Sequence, residues 1–130
     1  MSRTFQPSTE VRLGSGIFSI QIATTDAARI HGLSGVDHLD ANGGLLMIYQ
    51  SDDRWGIWMK DMKIPLDIIW MNNEKKVIYI VTDASPDLGT SKIFKPEDPA
   101  RYVLEVPAGT VKNAGIQIGS TAAFNITEAQ

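Results

Sequence analysis

The chain has 130 residues, 43% of them apolar and 21% charged, with a net charge of −3 and a pI near 5.2. That length and balance suit one folded domain and exclude a disordered chain. The acidic balance and the lack of a basic run argue against nucleic acid as a partner, since phosphate binding needs a basic face. The absence of cysteine excludes disulfides, thiolate metal sites and a Cys nucleophile.

Residues 1–10 read as a loose arm, and 11–130 as one β-rich domain. No apolar run reaches the roughly 20 residues of a transmembrane helix, and the sequence as given starts without a signal peptide. Val11–Leu13 and Ile17–Ile22 flank the turn Gly14-Ser15-Gly16. Phe18, Ile20 and Ile22 alternate with polar residues, the period of a half-buried strand. Thr24-Thr25-Asp26 opens a short helix, because Thr or Asp accepts from the free N–H groups of a first turn. Gly32 or Gly35 ends it.

Asp37 to Gly44 is a polar loop that lacks the far acid of a calcium loop. Gly44–Tyr49, Gly56–Met59, Leu66–Met71, Val77–Val81 and Tyr102–Val106 read as strands, and Asn72-Asn73-Glu74-Lys75 as a hairpin turn in which Asn suits positive φ. In Leu66–Met71, Leu66, Ile68 and Trp70 lie on one side and Asp67, Ile69 and Met71 on the other. Residues 82–101, with Pro86, Pro96 and Pro99, form a long loop of the kind that carries function. One helical turn over Thr110–Ala114 and short strands at Ile116–Ile118 and Ala122–Ile126 complete the chain. The pattern predicts a mainly β fold: a single compact antiparallel β-barrel or sandwich, jelly-roll-like, with one short N-terminal helix. A parallel sheet is not expected, since helices are too few for the crossovers.

Three blocks carry a resemblance: Trp58-Met59-Lys60, Ile64-Pro65-Leu66-Asp67-Ile68-Ile69, and Tyr102-Val103-Leu104-Glu105-Val106-Pro107-Ala108-Gly109. With Gly32-Leu33 and Gly44-Leu45-Leu46, they make Val11 to Ile126 similar to the family called domain of unknown function 192, also uncharacterised protein family 0127. Asp61-Met62 and Leu45-Leu46-Met47 depart from its usual Asn-Thr and Met-Leu-Phe. The resemblance implies a small β domain of bacteria or archaea, commonly exported, and so a periplasmic or other extracytoplasmic location.

Asp67 and Glu105 are acids inside apolar runs, and a buried carboxylate needs a partner. If they faced each other they would suit acid–base hydrolysis of a glycan or envelope polymer. The plainer reading ties strands together. Trp58 and Trp70, with apolar neighbours on both sides, are expected in the core. Trp55 is expected exposed and is the better ligand candidate; Tyr49 and Tyr102 could extend it into a stacking platform. His31 and His38 lie near Asp37 and Asp40 without a fixed geometry, so no metal and no cofactor is expected. Ser34 has no nucleophile-elbow context, and no phosphate loop is present.

The expected function is a ligand-binding or accessory module built on Trp55, Trp58, Lys60, Asp67 and Glu105, with residues 82–101 as a lid or rim. The alternatives are a small hydrolase using Asp67 and Glu105 and a structural protein-interaction domain. The partner would be a small molecule, a glycan or a protein.

Overall fold

A computed structural model describes residues 8–126. Eight strands run in the order β1 (Ser8–Leu13), β2 (Gly16–Ala23), β3 (Gly43–Asp53), β4 (Ile57–Trp58), β5 (Leu66–Met71), β6 (Val77–Ala84), β7 (Ile93–Phe94) and β8 (Ala100–Pro107). Helix α1 is Asp26–His31 and helix α2 is Thr110–Ala114. Six strands form one sheet in the order β1-β2-β3-β8-β5-β6, and β4 pairs with β7 apart from it. The protein is mainly β, as the alternation predicts, but two expectations fail. The sheet is mixed, because β2 and β3 are parallel, and its strand ladder does not close into a barrel among the described residues. A parallel pair needs a crossover of a dozen or more residues; here residues 24–42 supply it, and α1 is its helix. Ser8 to Glu10, expected in the arm, pair with β2; residues 1–7 lie outside the described part.

Both faces of the sheet are covered. On one, Val11, Leu13, Phe18, Ile20, Leu46, Ile69, Met71, Leu104 and Val106 pack against α2 and the C-terminal segment through Val111, Ala114, Ile116, Ala122 and Phe124. On the other, Leu45, Met47, Leu66, Ile68, Trp70 and Val103 pack against Leu33, Ile57 and Met59. Strand β5 is therefore buried at every position, as a continuous apolar run requires. Trp70 is fully buried, and its indole N–H donates to the Trp55 carbonyl at 2.8 Å. At Gly44 the backbone of β8 comes so near that an added Cβ would run into the Glu105 carbonyl oxygen.

The C-terminal segment is not two strands. Ala123 exchanges hydrogen bonds with Arg12 of β1, while Ser120 and Ala122 bond to Val77 and Lys75. With partners alternating between the sheet's two outer strands, no continuous ladder forms, and only isolated bridges remain at Thr121 and Ala123. In the hairpin after β5, Lys75, not an asparagine, takes positive φ. Asn72 instead accepts from the N–H groups of Glu74 and Lys76 through its side-chain oxygen.

Asp67 is 1% exposed and lies opposite a bulge. The register passes from Leu66↔Ala84 to Ile68↔Val81, so Asp67 faces two residues of β6. A bulge leaves one backbone group without its ladder partner. Asp67 Oδ1 accepts the Asp83 N–H at 2.8 Å, and Asp83 sits at φ 53°. Its Oδ2 accepts from Gly109 at 3.1 Å and from Val111 at 2.9 Å. Gly109, the N-cap of α2, has no side chain with which to cap it, so Asp67 performs that task from another strand. Replacing Asp67 with Asn would put an NH2 donor against at least one of these N–H groups. An expected loss of about 3 kcal/mol in the unfolding free energy follows from leaving buried donors unpaired, measured by urea denaturation; a loss below about 0.5 kcal/mol would refute the role.

Candidate functional site

The crossover that makes β2 and β3 parallel also lays α1 over the second face of the sheet. Thr25 caps α1, its hydroxyl accepting from the Ala28 N–H at 3.1 Å. Gly32 ends the helix at φ 55°, a conformation that suits glycine. Beyond α1, the loop carrying Lys60 is pinned by three contacts. Gly35 N–H donates to Asp61 O and Met59 N–H to Gly89 O, and Ser34 Oγ to Lys60 O at 3.3 Å. Asp61 turns this loop at φ 60°, a region that Asp and Asn tolerate.

Between these pieces lies a cavity of about 470 Å³. Arg29 and Gly32 line one side, Tyr49, Trp55 and Trp58 another, and Met47 and Glu105 come from the sheet. Tyr49 and Trp55 stack with centroids 4.2 Å apart and planes at 10°. The Arg29 guanidinium lies 5.0 Å from the Tyr49 centroid. Its Nη1 donates to Ile48 O at 2.6 Å and its Nη2 pairs with Asp26 at 2.7 Å. Tyr49 is thus held as a neutral phenol: burial pushes its hydroxyl up to about 12, Arg29 opposes the shift, and Glu105 adds to it. Lys60 Nζ sits 5.7 Å from the Trp58 centroid and enters none of the ion pairs among the described residues.

Glu105 is 3% exposed. Its Oε1 has no hydrogen-bond partner among the described residues. The space beside it exists because Gly32 has no side chain: a Cβ there would stand 3.7 Å from Oε1. Burial alone raises the Glu105 carboxyl from its ordinary 4.5 to about 7.

Four of the five sequence-named residues, Trp55, Trp58, Lys60 and Glu105, line this cavity. Asp67 does not. Ile68 pairs with Glu105 and Asp67 with Val106, and neighbours on a strand point to opposite faces. The two acids therefore lie on opposite sides of the sheet and form no pair. Trp58, expected in the core, is 39% exposed. Strand β4 has two residues, with Ile57 buried and Trp58 outward by alternation. Tyr102 packs edge-on against Phe124 beneath the other face, so it is not part of the aromatic wall. Of residues 82–101, Ile93 of β7 reaches the cavity; the rest includes the end of β6, a 3-10 turn at Pro86–Leu88 and the start of β8. Arg29 was not anticipated, although its i,i+3 spacing from Asp26 was in the sequence.

The raised carboxyl makes a prediction about stability. The folded state holds its Glu105 proton to higher pH than the unfolded chain, so stability falls as pH rises from about 4.5 to about 7 and levels off above. The loss across that window is about 3 kcal/mol. Glu105→Gln is expected to remove this slope and to be more stable than the parent at pH 8 by about 1–3 kcal/mol, read from urea unfolding at pH 5 and pH 8. A variant less stable than the parent at pH 8 would mean that Glu105 is paired.

A sequence profile of DUF192, described as "Uncharacterized ACR", matches residues 9–124. A UPF0127 protein of Thermococcus gammatolerans is 26% identical over 111 residues, 84% of this chain and 68% of the relative. Another from Thermococcus kodakarensis is 25% identical over 114 residues, 84% of this chain and 66% of the relative, just under two thirds. Among solved structures, a Sinorhizobium meliloti protein provisionally labelled a transcription regulator superposes with a TM-score of 0.89 at 24% identity, covering 95% of this chain and 98% of that one. That likeness concerns the fold. A Novosphingobium aromaticivorans protein of unknown function gives a TM-score of 0.81 at 26% identity, covering 89% and 83%. With its profile spanning residues 9–124, the chain belongs to the DUF192 family, the domain of unknown function 192.

Proposed function

We propose that the protein is a small-molecule-binding module whose site is the cavity between α1 and the sheet. The observation that carries this reading is Glu105. A carboxyl is kept buried and unpartnered at the wall of an apolar, aromatic-lined space, although an amide or apolar side chain there would be less costly. Such residues mark sites retained at the expense of stability. The setting fits: a few polar groups converge in a cavity of ligand size, about 470 Å³. The Tyr49–Trp55 stack is braced by Arg29, so the wall is pre-ordered, which lowers the cost of binding. Trp58, half-open at the mouth, offers the flat face that a ligand would cover.

The acid-pair hydrolase receives no support, because Asp67 is committed to three backbone N–H groups on the far side of the sheet. The location outside the cytoplasm is carried into this proposal from the family resemblance; no helix among the described residues is long and apolar enough to cross a membrane.

A fragment screen by ¹H–¹⁵N NMR at neutral pH tests the reading. Hits are expected to shift the indole N–H signals of Trp55 and Trp58 together with the backbone of Gly32. Trp58→Ala is expected to weaken those hits at least tenfold while the chain still folds, with a stability loss of no more than about 3 kcal/mol for a partly buried indole. Hits that leave these signals still, or that bind the Trp58 variant equally well, would remove the cavity as the site.

A further inference from the structure

Resting on the cavity as the ligand site, we infer that its ligand carries a protonated amine on an apolar or aromatic body, with the ammonium meeting the Glu105 carboxylate. The cavity offers two recognition surfaces of different chemistry. Most of its wall is apolar, from Met47, Ile57, Trp55 and Trp58. Glu105 belongs to the cavity wall, and among the described residues its Oε1 is the one buried side-chain polar atom without a partner. An ionised carboxylate is acceptor-only. What completes it is a hydrogen-bond donor, and a cationic donor gives the shorter, stronger bond. Aromatic faces nearby favour the same charge.

The other charged and titratable groups around the cavity do not meet that need. On α1, Arg29 is spent on Asp26, Ile48 O and the face of Tyr49; His31 is exposed at the rim. On β3, the Tyr49 hydroxyl donates to Met47 Sδ at 3.7 Å. On the loop after β4, Lys60 stands exposed over Trp58, where solvent and salt screen its repulsion of a cation. None of them supplies Glu105 with a donor, which leaves that place to the ligand.

The arrangement couples binding to pH. An ammonium selects the ionised carboxylate, and the free carboxyl titrates near 7. Below that value most molecules must first release the Glu105 proton, and the apparent affinity falls by the ionised fraction. The amine itself stays protonated across the range. Cation binding is therefore strong at pH 8 and weak at pH 5.5.

Three probes of matched size separate the possibilities: phenethylamine, 2-phenylethanol and phenylacetate, titrated by ¹H–¹⁵N NMR into the parent and Glu105→Gln at pH 8 and pH 5.5. Phenethylamine is expected to bind the parent at least tenfold more tightly than either other probe at pH 8, and to weaken by about 30-fold at pH 5.5. In Glu105→Gln the preference for the amine and its pH dependence should both vanish. If 2-phenylethanol or phenylacetate binds as tightly as the amine, with shifts still at Trp55 and Trp58, the ligand class is wrong and the cavity remains the site. Amine binding that does not change with pH in the parent would also overturn the inference, whatever the variant's fold. Should no probe shift the cavity signals, the ammonium reading falls, and the fragment screen alone then decides the cavity.

Discussion

Strands β5 and β8 are neighbouring interior strands of the sheet with protein packed on both faces, and that double burial constrains everything else. Leu66–Met71 and Val103–Val106 are buried, so each polar side chain there must find a partner within the protein or remain unsatisfied. Two carboxylates meet this condition in opposite ways. Asp67 collects three backbone N–H groups and so joins a bulge on β6 to the start of α2. Glu105 lines a cavity and keeps a carboxylate oxygen without a partner among the described residues. One acid completes the architecture; the other is left open by it.

The cavity is a by-product of topology. A parallel β2–β3 pair requires the chain to cross over the sheet, and that crossing carries α1 above β3 and β8. The helix is only six residues long and buries none of its residues, so it does not seal against the strands. Gly32, where the chain leaves the helix, keeps the gap open beside Glu105. The small β4–β7 pair closes the other flank and turns Trp58 outward at the mouth. Ile30, Trp58 and Ile93, three of the five exposed large hydrophobics among the described residues, border this one opening.

The energetic consequence is a cavity wall that costs its scaffold stability. Burial lifts the Glu105 carboxyl toward neutrality, and the folded state bears that cost at any pH where the unfolded chain would ionise. The C-terminal segment, bonded to β1 on one side and to residues 75–77 on the other, ties the outer strands together. It lies under the face opposite the cavity, so the scaffold is fastened away from the site.

Much of the strand content was legible in the sequence, because alternation in Ile17–Ile22 and the wholly apolar Leu66–Met71 each have one simple structural solution. The local faces were legible too: Asp67 shares its side with Ile69, and Glu105 shares its side with Val103, by the period of two alone. What the sequence could not give was register between strands. Pairing Glu105 with Ile68 instead of with Asp67 places the two acids on opposite faces, and a shift of one residue would have put them together. That choice belongs to tertiary packing, as do the parallel β2–β3 pair and the outward turn of Trp58. The residue types of the site, its aromatics, its lysine and its glutamate, were written in the chain; which of them meet was decided by how the strands align.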